Sequence, residues 1–327
     1  MQPRIRIISV GGTISSAEKD NALSSPTYAG EEIIKLVPGI EEYGMIEVEN
    51  FSKVLSSQLS VEQIFNLSMR IHDIFEEDPE LTGIVVTHGT GTLEESAFMA
   101  DLMVDDSRPV VFTGAMRSLS DPFTDGPFNI LNAVRIAVSE NAMDKGVMVA
   151  LNSVIHPASE VYKSHTTNAD TFNSGEFGPL GYVYPDRIHF ARTLLAKPKI
   201  NTQRPNFNVD LIKYVVGMDD RFIRASIASG AKGMIIEASG LGNVNDSLAD
   251  GIELALQKGI VVVISSRCTN GRVYPSYGTK AGGGSLLEKG CILTSMSGPK
   301  ARMMLMLCLG ESMKHMEVQH LFDPEGP

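Results

Sequence analysis

Arg4-Ile5-Arg6-Ile7-Ile8-Ser9-Val10-Gly11-Gly12-Thr13 reads as a short apolar strand, Arg4–Val10, that runs straight into a glycine turn. The pattern recurs twice downstream. Gly83–Thr87 leads into His88-Gly89-Thr90-Gly91-Thr92 and then Leu93-Glu94-Glu95, and Pro109–Thr113 leads into Gly114-Ala115-Met116-Arg117. Between these runs, residues 61–75 carry Ile64, Phe65, Leu67, Met69, Ile71, Ile74 and Phe75 at helical spacing. Residues 93–103 and 128–139 read the same way, and further strands are expected over Met45–Val48 and Val147–Leu151. Strand, helix and strand in repetition predict crossover units, hence an α/β fold with a doubly wound, mostly parallel sheet.

The pattern breaks at 196–208, AKPKINTQRPNFN, which is polar, bears proline and has no period. That composition marks a linker. It divides the chain into a larger domain over 1–195, a linker over 196–210 and a smaller α/β domain over 211–327. In the second domain strands are expected over 211–216, 234–237 and 260–265, with helices over 221–229 and 247–257. A last helix is expected to open at Ser297-Gly298-Pro299, where proline suits the first turn. Its methionine stripe (Met303, Met304, Met306) reads as packing rather than as an adaptable groove.

Bulk properties exclude several classes. The 327 residues carry a formal net charge of −11, which argues against a general nucleic-acid binder and against anionic membranes. No apolar run is long enough to span a bilayer. The amino terminus lacks the longer apolar core and cleavage site of a secretory signal, so a cytoplasmic location is the expectation. Cys268, Cys291 and Cys308 form no disulfide framework and no zinc motif, and the seven histidines show no paired-ligand spacing. No metal and no cofactor are expected; GxGxxG after the first strand and the Walker A pattern are both absent.

In open α/β sheets ligands bind beyond the carboxyl ends of strands. Three small-residue turns at one such edge would set two threonine hydroxyls beside exposed backbone N–H groups. A threonine hydroxyl attacks only when a base takes its proton and donors receive the developing oxyanion. Glycines let the backbone come close enough to be those donors. Singly, each turn also reads as an ordinary strand-to-helix connection with threonine as a cap.

Together the turns resemble the bacterial-type L-asparaginase family. The likeness rests on Gly11-Gly12-Thr13-Ile14, Thr87-His88-Gly89-Thr90, Gly114-Ala115-Met116-Arg117, Asp125-Gly126-Pro127-Phe128-Asn129, Gly178-Pro179-Leu180-Gly181-Tyr182, Gly240-Leu241-Gly242-Asn243 and Ser265-Ser266-Arg267, in one order. It implies an amidohydrolase for a small carboxamide, with a flavodoxin-like second domain and a homo-oligomeric assembly, a dimer of dimers. Thr13 is then the nucleophile that forms the acyl-enzyme. Thr90 is a second active-site threonine, and Lys163 is its amine partner. Ser57 and Gln58 would hold the α-carboxylate and α-amino group of the substrate. Gly12, Gly89, Gly91 and Ala115 would line the site.

Three departures stand out. The family reads HGTDT where this chain has His88-Gly89-Thr90-Gly91-Thr92, so the aspartate that pairs with the substrate ammonium is missing. The loop after Ser265-Ser266-Arg267 holds no acid before Glu288, where relatives place a glutamate. By spacing, Leu23 falls where a flap tyrosine is expected, and Tyr28 is the nearest candidate. Two substrate readings remain open: a free amino acid whose ammonium meets Asp219 or Asp220, or an amide with no α-ammonium, such as an N-substituted asparagine or glutamine or a dicarboxylic monoamide. A non-catalytic small-amide binder and the amidase subunit of a tRNA-dependent amidotransferase are the rival classes; the acidic charge fits tRNA poorly.

Overall fold

The computed structural model describes residues 2–17, 25–195, 199–311 and 313–323. The chain divides into two compact units, Met1–Lys199 and Ile200–Pro327. In the first, the strands are β1 (Arg4–Gly11), β2 (Ser16–Ala17), β3 (Ser25–Pro26), β4 (Met45–Val54), β5 (Gly83–Thr87), β6 (Val110–Thr113), β7 (Val147–Leu151), β8 (Val154–Pro157), β9 (Tyr162–Lys163), β10 (Phe172–Asn173), β11 (Gly181–Val183) and β12 (Ile188–Phe190). The helices are α1 (Gly30–Ile34), α2 (Val61–Glu77), α3 (Leu93–Met103) and α4 (Gly126–Ala137).

Eight strands form one mixed sheet in the order β12-β11-β8-β7-β6-β5-β1-β4. β4, β1, β5, β6 and β7 run parallel, and every pairing beyond β7 is antiparallel. β5, β6 and β7 are buried along their whole length, which is why their sequences are unbroken apolar runs. On one face, Leu67 and Ile71 of α2 and Leu93 and Ala97 of α3 pack on Ile8, Ile84, Val86 and Phe112. On the other, Ile33 of α1 and Ile130 and Val134 of α4 pack on Ile5, Ile7, Val85 and Val111. Helices on both faces make the sheet doubly wound, as the strand–helix alternation predicts.

The differences from the sequence reading are local. β4 continues to Val54, six residues past its expected end, because its charged positions are paired: Glu47 meets Arg4 and Arg6 of β1, and Glu49 meets Arg6 and, from α2, Arg70. α4 opens two residues early, at Gly126, with Pro127 in its first turn. The antiparallel strands β8, β11 and β12 were not expected at all. β7 folds back on β8 through Asn152 and Ser153, both with positive φ (49° and 63°), a hairpin turn made without glycine.

The second unit holds β13 (Val209–Lys213), β14 (Gly233–Ala238), β15 (Val261–Ser266) and β16 (Ile292–Leu293), a four-stranded parallel sheet in chain order. Its helices are α5 (Arg221–Ala228), α6 (Asp246–Gln257), α7 (Gly283–Glu288), α8 (Gly298–Gly310) and α9 (His315–Phe322). Ile223, Leu248 and Ile252 pack on Ile212, Ile236 and Ile264. Met303, Met304 and Met306 of α8 are buried. β13 starts two residues before the expected strand, inside the stretch read as linker, and Val215 and Val216, expected within it, lie past its end and exposed. Cys291 and Cys308 are buried free thiols, their pKa pushed up to about 12 by burial; Cys268 is free and exposed. Among the described residues no helix is long and apolar enough to cross a membrane.

Candidate active site

The three turns begin at one level of one sheet edge. In the strand register Ser9 lies opposite Thr87, and Thr87 opposite Thr113, so the glycine turns after β1, β5 and β6 leave the carboxyl edge side by side. Gly12 has φ +88°, and a Cβ there would stand 2.2 Å from Gly89 Cα and 2.4 Å from Gly89 N. Only glycine permits that approach and that backbone. The two turns therefore touch, and the residues that follow, Thr13 and Thr90, sit on neighbouring backbones. Thr13 is half-buried and opens a single helical turn, Thr13–Ser15. The turn is locked from behind: the Gly12 carbonyl accepts from Ser15 N (3.1 Å), Ser15 Oγ (2.9 Å) and Ser16 Oγ (2.8 Å).

Lys163 comes from the two-stranded ladder of β9 and β10, where it lies opposite Phe172. Its Nζ donates to Thr90 Oγ1 at 2.9 Å, and its backbone N–H donates to Glu94 Oε2 at 2.6 Å. Thr90 itself is buried. Burial lowers the Lys163 pKa below 10.5, and the nearby Glu94 carboxylate partly opposes the shift. An amine depressed in this way holds a larger neutral fraction at a given pH, which is what a base for a hydroxyl needs. His88 is fully buried and its pKa is lowered to about 4, so at neutral pH the ring is uncharged. Its Nδ1 lies 2.8 Å from the Gly89 carbonyl, so the proton sits on Nδ1 and steadies the turn before Thr90.

The motif Asp125–Asn129 fixes the third turn. Asp125 accepts from Met116 N (3.0 Å), Arg117 N (2.9 Å) and Asn129 Nδ2 (3.0 Å), while Asn129 Nδ2 also donates to the Gly114 carbonyl at 2.9 Å. Ala115 is buried in the apolar layer with Ile14.

Ser57 and Gln58 belong to a short helical turn, Ser56–Gln58, and both are exposed. The residue of that turn aimed at the glycine edge is Ser56, which the sequence reading passed over. It is buried, and a Cβ at Gly89 would meet its Oγ at 2.9 Å and one at Gly91 would meet it at 3.1 Å. Its carbonyl accepts from Thr92 Oγ1 at 3.0 Å, which ties the 56–58 turn to the 88–92 turn. Gly91 is exposed and contributes backbone only. Glu94, like Ser56, carries no signal in the sequence; only its distance to Lys163 N reveals it.

Tyr28 packs, partly buried, against the apolar layer that holds Ile14 and Ile33. Leu23 lies outside the described residues. Neither acid offered to replace the missing aspartate is uncommitted: Asp219 pairs with Arg221 (2.7 Å) and Asp220 with Arg224 (2.7 Å), and both belong to the second unit. Glu288 is the last residue of α7. No group of three or more His, Cys, Asp or Glu among the described residues could hold a metal ion.

Comparison with known proteins finds relatives over nearly the whole chain. The N-terminal asparaginase profile matches residues 4–196, and the glutaminase/asparaginase C-terminal domain profile matches residues 208–322. L-asparaginase 2 of Bacillus subtilis (strain 168) is 34% identical over 332 residues, covering 98% of this chain and 86% of the relative. L-asparaginase of Bacillus licheniformis is 33% identical over 311 residues, covering 94% and 96%. A crystal structure of a probable cytoplasmic L-asparaginase from Campylobacter jejuni superposes with a TM-score of 0.88 at 31% identity, covering 98% of this chain and 99% of the other. By its folded units, its glycine edge and its relatives over nearly full length, the chain belongs to the asparaginase family.

Proposed function

We propose that the protein hydrolyses a small carboxamide through a Thr13 acyl-enzyme and releases ammonia. The observation that carries this reading is the Lys163 Nζ–Thr90 Oγ1 hydrogen bond at 2.9 Å on the turn that touches Gly12. Thr13 Oγ bonds to the amide carbon, and its proton passes to the Thr90–Lys163 pair. That proton then reaches the departing nitrogen as the C–N bond breaks, leaving an ester on Thr13. Water attacks the ester, the carboxylate leaves and Thr13 recovers its proton. Backbone N–H groups of the glycine turns supply oxyanion donors. Ala115, Gly12, Gly89 and Gly91 shape the floor, and Ser57 and Gln58 stand at the exposed mouth. A homo-oligomer, a dimer of dimers, belongs to this reading and is checked by light scattering.

The test is an amide panel read by ammonia release. Thr13→Ala is expected to lose at least about 1,000-fold in kcat. Absence of turnover on every amide, with Thr13→Ala indistinguishable from the parent, would sink the proposal in favour of a small-amide binder.

Position 91 supports a second reading of the substrate: an amide with no free α-ammonium. A cation there would meet no side chain at 91, and leaving one partner of a desolvated ion pair alone costs roughly 3–5 kcal/mol. A Cβ at 91 meets only Ser56 Oγ, at 3.1 Å, and φ lies outside the left-handed region, so aspartate is accommodated by a small shift of that hydroxyl. Gly91→Asp is therefore expected to raise kcat/KM for free L-asparagine about tenfold or more. Unchanged or lower asparagine activity would count against it. Compartment does not follow from the family: one relative is named as periplasmic and one as cytoplasmic.

A further inference from the structure

Lys163 and Thr90 lie 73 residues apart and reach one another from two different elements. Thr90 is on the turn that leads into α3, and Lys163 is on the two-residue strand β9. A two-residue strand has little ladder of its own with which to hold a register. One contact spans the gap directly. Glu94, the second residue of α3, accepts the Lys163 backbone N–H at 2.6 Å. That is a charge-assisted bond, short and stronger than a neutral one. Glu94 lies four residues after Thr90, so the same helical end that carries the threonine also grips the strand that carries the amine.

We propose that Glu94 is the positioning residue of the Thr90–Lys163 pair, its carboxylate locking β9 to the start of α3 so that Nζ stays within hydrogen-bond reach of the threonine hydroxyl. The proposal rests on the amidohydrolase reading above. Its physical content is twofold. Removing the acceptor frees the Lys163 backbone and lengthens the Nζ–Oγ1 contact, and a displacement of about 1 Å in such a pair costs about 100-fold in rate. Removing only the charge keeps the acceptor but takes away the anion that favours the ammonium. Of the elements about Lys163, α3 presents Glu94 and β10 presents the apolar Phe172. Among the described residues, Glu94 is the one charged group with a resolved electrostatic effect on the Lys163 amine.

Three variants and one independent readout separate these effects. Glu94→Ala is expected to lower kcat by about 100-fold with KM changed less than threefold. Glu94→Gln, whose side-chain oxygen still accepts the N–H, is expected to restore at least tenfold of that loss. It also moves the ascending limb of the kcat/KM profile to lower pH, because an ammonium without its neighbouring anion gives up its proton more easily. Lys163→Ala tests the amine relay itself. The independent readout is competitive acetylation of Lys163 with acetic anhydride across pH 6–10, followed by peptide mass spectrometry; it reports the protonation of that amine whether or not the protein turns over. Its midpoint is expected to fall in Glu94→Gln relative to the parent. A fully active Lys163→Ala would defeat the relay while leaving the acetylation midpoint to judge Glu94. Glu94→Ala with kcat within threefold of the parent, or a Glu94→Gln midpoint that does not move, would overturn the proposal. If Glu94→Ala does not fold, Glu94→Asp, which withdraws the acceptor by about one C–C bond, takes its place, and a kcat within threefold of the parent in that variant overturns the proposal.

Discussion

At the scale of single residues, Gly12 carries two demands at once. It combines a left-handed backbone, φ +88°, with a neighbour that a Cβ would strike at 2.2 Å. The neighbour is backbone, Gly89, so no rotamer change relieves the contact. Gly12→Ala must separate the β1 and β5 turns, at a cost of about 1–3 kcal/mol for the backbone alone. Its expected effect on kcat is a loss of about 100-fold or more, since Thr13 and Thr90 each follow one of the two glycines. Steady-state kinetics together with a thermal unfolding curve checks this. A folded Gly12→Ala protein with parental kcat would mean that the close approach does not set the site. Thr13 and Thr90 stand on small-residue turns that are conspicuous in the sequence, whereas Lys163, in Val161-Tyr162-Lys163-Ser164, has no such mark and is named only through the family resemblance. Ser56 and Glu94 have no mark either, because nothing in Leu55-Ser56-Ser57-Gln58 or Leu93-Glu94-Glu95 distinguishes one serine or one glutamate from the next. What distinguishes them is which side chain the turn or helix aims inward, and that depends on packing partners 33 and 69 residues away in sequence.

At the scale of elements, legibility follows burial. β5, β6 and β7 are covered on both faces, so selection for apolar residues is continuous and their ends could be read within one residue. α2 carries its apolar stripe and a capping box, Ser60 with Gln63, and its start is equally plain in sequence. β8, β11 and β12 are two to four residues of local pairing each, and their register comes from hairpins rather than from a hydrophobic period. Such strands leave no pattern of their own. The Asp125–Asn129 segment shows how a conspicuous motif can be legible in position yet opaque in role. In the structure it is a clamp: one carboxylate receives two backbone N–H groups of the Gly114–Arg117 turn and the Asn129 amide. Asp125→Ala leaves those donors without their acceptor and is expected to cost about 1–3 kcal/mol of stability. Asp125→Asn, which keeps one oxygen acceptor, should cost less. Urea unfolding of the two variants measures the difference, and equal losses would show that charge rather than hydrogen bonding holds the turn.

At the scale of the whole molecule, the glycine edge, Lys163 and Glu94 all lie in the first unit, Met1–Lys199. The second unit builds its own core, in which Ile252 of α6 is fully buried among Ile223, Ile236 and Ile264. A cavity made there tests whether the two cores respond separately. Ile252→Ala deletes three carbons from a closed layer and is expected to destabilise that layer by about 2–5 kcal/mol. Hydrogen exchange followed by mass spectrometry locates the loss. If each core opens as its own unit, peptides from β14 and β15 exchange faster by the factor that this energy sets, while peptides from β1, β5 and β6 keep parental protection. Equal acceleration in both sets would instead mean that the chain opens as one cooperative body. In that case a destabilising substitution in the second core would also make the first unit, and the turn on which Thr13 stands, open more often.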